Sequence, residues 1–244
     1  MSRPIHAPGD GPDSQDAETL NNFFGLNPIN RPIVAFDFDG TLTVRDSFIA
    51  LLRWKLGPVR YAAEVAKLSP ELISYLMTRD RGRLKAAAAK QFFGPVRRED
   101  IESSARRFAE AHARDLLRPD AVRTWRLWRD RGARLVIVTA SPEETVAPFA
   151  RGLGADLLIG TRLQFDAQGR FTGKLDGANC RAEEKVRRLQ AEFGPDVRLA
   201  AAYGDTSGDH AMLAIADEAG YRVFNGVPTT ATHETRRRRR PRSA

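Results

Sequence analysis

A single cysteine, Cys180, occurs in 244 residues. An intrachain disulfide is therefore excluded, which suits a reducing compartment. No stretch approaches the roughly 20 apolar residues that a bilayer-crossing helix requires. The segment after Met1 lacks the apolar core of a secretory signal. Together these absences set the expectation of a soluble, cytoplasmic protein. An excess of one charge is also missing from most of the chain. The formal net charge is +8, but six arginines lie between Arg236 and Arg242, and the remainder holds 33 basic and 31 acidic residues. The basic character is a property of the tail. Internal repeats are absent too. What is present is an ordinary apolar fraction of 42%, in a chain long enough for one substantial domain and a smaller one.

Residues 1–30, rich in Pro, Gly, Asp and Asn without periodicity, read as a disordered lead-in. The apolar run Ile33 to Phe36 follows Pro32 and ends at acidic residues and Gly40, the pattern of a buried strand entering a functional loop. From Asp46 to Leu117 apolar residues recur at helical spacing, with Pro58 and Pro70 where helices can start. A second helical set runs through Leu84 to Lys90 and Ile101 to Leu117. After Pro119 the pattern alternates. A helix spans Asp120 to Arg131 with Gly132 as its C-cap, and a strand runs from Arg134 to Val138. A helix then opens at Ser141 to Glu144, with Ser141 as N-cap and Pro142 at the first position. Asp156 to Ile159 is a strand, and Arg162 to Phe165 with Phe171 and Thr172 form a hairpin. Arg181 to Phe193 is an amphipathic helix, Val197 to Tyr203 a strand, and Tyr221 to Phe224 a last strand. Alternating strands and helices imply a parallel sheet, whose ligands bind beyond the carboxyl ends of the strands.

Four candidate sites fall at such ends. Asp37 and Asp39, one residue apart in an extended stretch, point to the same side and repel. A divalent cation with oxygen ligands, magnesium by its preference for carboxylates and water, offsets that repulsion. Solvated strand-end aspartates are the plainer reading. Thr139 and Ala140, followed by Ser141, fit an anion site at a helix N-terminus, or a common helix cap. Lys185 fits a phosphate-neutralising charge, or a solvated helix lysine. Asp205 and Asp209 fit acids around a loop facing a cation, or a turn with a cap.

In order and placement these residues resemble the four motifs of the haloacid dehalogenase (HAD) superfamily: Asp37-Phe-Asp39-Gly-Thr41, Thr139, Lys185, and Gly204-Asp205 with Asp209. The similarity covers about residues 32–228. The helical insertion after the first motif, and the hairpin near Phe165, look like the phosphoserine-phosphatase-like branch, subfamily IB. One departure is Thr139-Ala140-Ser141 where phosphoserine phosphatases carry Ser-Gly-Gly.

The resemblance implies an α/β fold: a Rossmann-like parallel-sheet core at 31–44 and 119–230, a helical cap at 45–118, and a basic disordered tail at 231–244. It implies a Mg²⁺-dependent phosphatase acting on a small phosphorylated substrate. Asp37 is then the nucleophile and Asp39 the acid and base. Thr139, the Ala140 N–H and Lys185 hold the phosphoryl group. Magnesium is held by Asp37, the backbone carbonyl of Asp39, Asp205 and Asp209. The alternatives are a lipid-headgroup phosphatase of the phosphatidylglycerophosphate type and a non-enzymatic phospho-ligand binding protein.

Residues 45–118 hold sixteen Lys/Arg and nine Asp/Glu. A basic cap attracts anionic substrate, although solvated helix faces give the same count. Trp54, Trp125 and Trp128 read first as core residues, and Cys180 as a packing residue. No specific nucleic-acid partner is expected. The Arg236 to Arg240 run offers at most a weak contact with an anionic surface.

Overall fold

The computed structural model describes residues 31–67, 91, 94 and 96–228. The lead-in, the helix expected over Leu84 to Lys90, the helix start expected at Pro70 and the arginine tail lie outside the described residues.

Strand β1 (Ile33–Phe36) is the centre of a five-stranded sheet with β2 (Arg134–Pro142), β3 (Leu157–Thr161), β6 (Leu199–Gly204) and β7 (Ala216–Tyr221). The strand order is β3-β2-β1-β6-β7 and every pairing is parallel. Because side chains alternate across a strand, a sheet covered on both sides needs apolar residues at consecutive positions. Val34, Phe36, Leu135 and Ile137 fill one face, beneath helices α3 (Pro119–Asp130) and α4 (Glu143–Leu153). Ala35, Val136, Val138 and Ala202 fill the other, beneath α5 (Glu183–Phe193) and α6 (His210–Ala214).

Aromatic packing anchors the first face. The Phe36 ring lies 5.0 Å from Trp125 and 4.6 Å from Tyr203. Trp125 Nε1 donates to the Leu153 carbonyl at 3.1 Å, and Trp128 Nε1 to the Tyr203 hydroxyl at 2.9 Å, so neither indole buries an unpaired N–H. Trp54, by contrast, is 41% exposed and packs edge-on to His112.

The insertion is helical where described. Helix α1 (Ser47–Lys67) breaks at Gly57 and resumes at Pro58, as proline's fixed φ favours a first turn. Helix α2 (Arg98–Leu116) packs with α1 against the hairpin β4 (Leu163–Phe165) and β5 (Phe171–Leu175), joining Phe48, Leu52, Ile101, Leu163 and Phe171 in a separate cluster. The two chain crossings pair with each other: Val44 N–H donates to Leu116 O at 2.8 Å, and Arg118 N–H to Leu42 O at 2.9 Å.

Two expectations shift. The last strand is Ala216–Tyr221, not Tyr221 to Phe224; as an edge strand with exposed residues it carries no apolar run to announce it. Strand β2 continues through Thr139 to Pro142 instead of ending at Val138, because Pro142 pairs with Thr161 of β3.

Candidate active site

The chain leaves β1 for β2 and β3 on one side of the sheet and returns to β6 and β7 on the other. The strand order thus reverses between β1 and β6, where such sheets bind ligands. Asp37 follows β1, and Asp205 follows β6. The Asp37 N–H donates to the Tyr203 carbonyl at 2.8 Å, which fixes the two loops side by side.

The turn after Asp37 is closed by Gly40, whose φ of 87° is the left-handed conformation that favours glycine. A Cβ there would lie 2.3 Å from an Asp205 oxygen, so the absence of a side chain also admits that carboxylate. Arg118 Nε donates to the Gly40 and Thr43 carbonyls, both at 3.2 Å, and holds the turn from behind.

Lys185 is buried, with all three ammonium hydrogens engaged. It donates to Asp37 Oδ1 at 2.6 Å, Asp209 Oδ1 at 2.7 Å and the Val138 carbonyl at 2.6 Å. Burial alone disfavours its charge, but the two aspartates outweigh burial and hold the ammonium above its usual value. Burial pushes the Asp37 carboxyl up to about 7 against the pull of Lys185, with the Asp209 and Asp39 charges adding to the rise. Asp209 is held low despite burial, by Lys185 and by loop hydrogen bonds. Its Oδ2 accepts from the Thr206 N–H at 2.9 Å, the Thr206 hydroxyl at 3.0 Å and the Asp205 N–H at 3.2 Å. Asp205 is half-buried and raised, first by burial and then by the Asp209 charge.

Asp37, Asp205 and Asp209 bring carboxylate oxygens within 4.8 Å of one another. The Asp37 Oδ2 and Asp205 Oδ1 atoms share one hydroxyl, Thr41 Oγ1, at 3.4 Å each. One proton cannot serve both, and Lys185 has no hydrogen left to give. This all-oxygen, under-compensated cluster suits a hard divalent cation. The Asp39 carboxylate lies outside it: its Oδ1 accepts from the Ser47 N–H at 2.7 Å and its Oδ2 from the Ser141 hydroxyl at 2.5 Å.

A cleft of about 310 Å³ gathers Asp37, Asp39, Thr139, Ala140, Lys185, Asp205 and Asp209, so all seven residues singled out in the sequence line one cavity. Asn179 and Arg181 line it as well, and the sequence reading names neither as a site residue. Arg181 lies before helix α5, which begins at Glu183 instead of Arg181, and no local pattern in the sequence marks it. The region of Thr139 differs from expectation in one respect. Thr139 and Ala140 sit on extended strand, not at a helix N-terminus, and the N-cap position of helix α4 is Pro142, not Ser141. Cys180 is buried, and burial pushes its thiol up to about 11, as befits an inert packing residue.

The family profile of haloacid dehalogenase-like hydrolases matches residues 34–214. The chain belongs to this family. It is thus a hydrolase by family. It is 65% identical over 196 residues to protein CicA of Caulobacter vibrioides, covering 80% of this chain and 88% of that one. Among solved structures, a protein of unknown function from Bordetella pertussis Tohama I superposes with a TM-score of 0.66 at 22% identity, over 86% of this chain and 96% of that one. A substrate-bound phosphoserine phosphatase superposes with a TM-score of 0.54 at 19% identity, over 79% and 86% of the two chains. These two likenesses establish the HAD α/β fold. Among the described residues, no helix is long and apolar enough to cross a membrane.

Proposed function

We propose that the chain is a magnesium-dependent phosphatase that hydrolyses a small phosphomonoester through an aspartyl-phosphate on Asp37. The observation that carries this reading is the buried Asp37–Lys185 pair opening into a cleft shared with Asp39 and Asp205. The family assignment and the phosphoserine phosphatase neighbour support it. Helices α1 and α2 belong to the cap of 45–118, and the sheet to the core of 31–44 and 119–230.

The steps follow from the residues. A carboxylate oxygen of Asp37 bonds to phosphorus as the bond to the leaving oxygen breaks, and the proton of Asp39 passes to that oxygen. Water then attacks phosphorus, Asp39 takes its proton, and the bond from Asp37 to phosphorus breaks to release inorganic phosphate. Thr139 and Ala140 line the cleft, and the Thr139 hydroxyl and Ala140 N–H are the groups to receive phosphoryl oxygens, while the Lys185 charge beside Asp37 favours the charge that develops there. Asp37, Asp205 and Asp209, with the Asp39 carbonyl, are the residues to hold magnesium. The ion supplies positive charge against the mutual repulsion of nucleophile and phosphate.

A second reading has one observation in its favour. A groove of about 420 Å³ lined by Arg45, Ile49, Arg53, Trp54 and Phe108 shares Asp46 with the cleft. It suits a substrate with an apolar part, as in a lipid headgroup phosphate. A panel of phosphomonoesters with and without lipid tails, run with magnesium and with chelator, tests both. Turnover of soluble esters that needs magnesium supports the first reading; turnover of tailed esters alone supports the second. Magnesium-independent turnover contradicts both.

A further inference from the structure

Asp39 makes no bond to Lys185, yet it is held at both carboxylate oxygens. The Ser47 N–H, at the start of α1, grips Oδ1, and the Ser141 hydroxyl, at the end of β2, grips Oδ2. Ser141 is completely buried. Its own N–H donates to Thr139 Oγ1 at 3.1 Å, which fixes the serine in place. The task of capping α4, which its place in the sequence suggests, is not open to it, since Pro142 intervenes and Thr145 Oγ1 donates to the Pro142 carbonyl at 2.8 Å. The buried hydroxyl reaches Asp39 across 102 residues of chain.

Asp39 needs such a hold. It sits on the turn, with φ −77° and ψ 116°, at the cleft wall, where its side chain is only partly buried. A free carboxyl there explores several rotamers, and only one presents it to an oxygen leaving from phosphorus. A hydroxyl suits both halves of the cycle, because it donates to a carboxylate and accepts from a carboxylic acid. The Ser47 amide can only donate.

We propose that Ser141 is the positioning residue of the proton-transfer step: its hydroxyl fixes the Asp39 carboxyl toward the leaving oxygen in the first half-reaction and toward the attacking water in the second. This rests on the phosphatase reading above. Ser141 touches neither phosphorus nor the leaving group. It acts through Asp39.

The test compares two aryl esters whose leaving groups differ in their need for a proton. 4-Nitrophenyl phosphate releases a stable phenolate, whereas phenyl phosphate releases a more basic one that gains more from Asp39. Ser141→Ala is expected to lower kcat/KM for phenyl phosphate roughly 10- to 100-fold, a part of what general acid catalysis contributes. The loss for 4-nitrophenyl phosphate is expected to be several-fold smaller, with KM little changed for both. In an Asp39→Asn background, Ser141→Ala is expected to add no further loss on phenyl phosphate. Equal losses on both esters, or a full further loss in the Asp39→Asn background, would overturn the proposal. Thermal melting identifies any variant that fails to fold, and Ser141→Cys, close in size with a weaker donor, then takes its place with an intermediate leaving-group effect expected. Asp37→Asn separates the two layers. If that variant still turns over both esters, the phosphatase mechanism fails. If it is inactive while Ser141→Ala loses equally on both, only the positioning role fails.

Discussion

Two buried carboxyls stand at about the same perturbed value in very different places. Asp37, at the sheet's strand ends, and Glu144, in the first turn of α4 where that helix packs on α2, are both pushed up to about 7 by burial. Around Asp37 the structure concentrates charge at a cavity: a buried lysine, two more carboxylates, and a cleft. Around Glu144 it offers a distant Arg98, 3.7 Å from Oε1, and an Oε2 with no hydrogen-bond partner among the described residues. Glu144 lines none of the described cavities that contain the site residues. Perturbation alone therefore does not mark an active site. What marks it is perturbation together with convergent charge at a topological switch point.

The comparison can be broken or sharpened experimentally. The largest expected effect is on turnover: Asp37→Asn should cost at least roughly 10³-fold in kcat, as loss of a covalent nucleophile does, whereas Glu144→Gln should leave kcat within about twofold. Steady-state assays on one generic ester check both. Next is stability. Lys185→Met leaves Asp37 and Asp209 buried without their counter-charge and should cost about 3–5 kcal/mol in urea unfolding.

The pH dependence separates the two acids. A carboxyl raised in the fold binds more protons there than in the unfolded chain, so stability falls as pH rises from the ordinary carboxylate range through about 7. Magnesium should remove the Asp37 part of this slope and leave the Glu144 part, which Glu144→Gln should remove. Glu144→Gln is expected to gain roughly 1–3 kcal/mol at pH 8 and little at pH 4, read from urea midpoints. The smallest expected effect comes from deleting residues 236–244, which should leave hydrolysis of small phosphates unchanged within error.

Much of this was legible in the sequence because chemistry and topology coincide. Asp37, Thr139, Lys185 and Asp205 each follow or adjoin a strand end or helix start that apolar runs announce, and those runs are continuous because the sheet is covered on both faces. What resisted was decided by tertiary contact. Ser141 carries the local pattern of an N-cap, but its hydroxyl goes to Asp39, a partner that no local rule names. Lys185 reads as one more helix lysine until the fold surrounds it with two aspartates and a carbonyl. Strand β7, at the sheet edge, has too little apolar pattern to place its start. Glu144 reads as a helix-dipole acid in a first turn, and nothing nearby in sequence indicates that α2 covers it.

The central claim is that Asp37 itself accepts the phosphoryl group. Rapid acid quench of the enzyme turning over a ³²P-labelled ester, followed by borohydride reduction and peptide mapping, tests it most directly. Reduction of an aspartyl-phosphate leaves homoserine, and the account predicts homoserine at position 37, with none in Asp37→Asn. Turnover at full rate with no label and no homoserine at that position would contradict it.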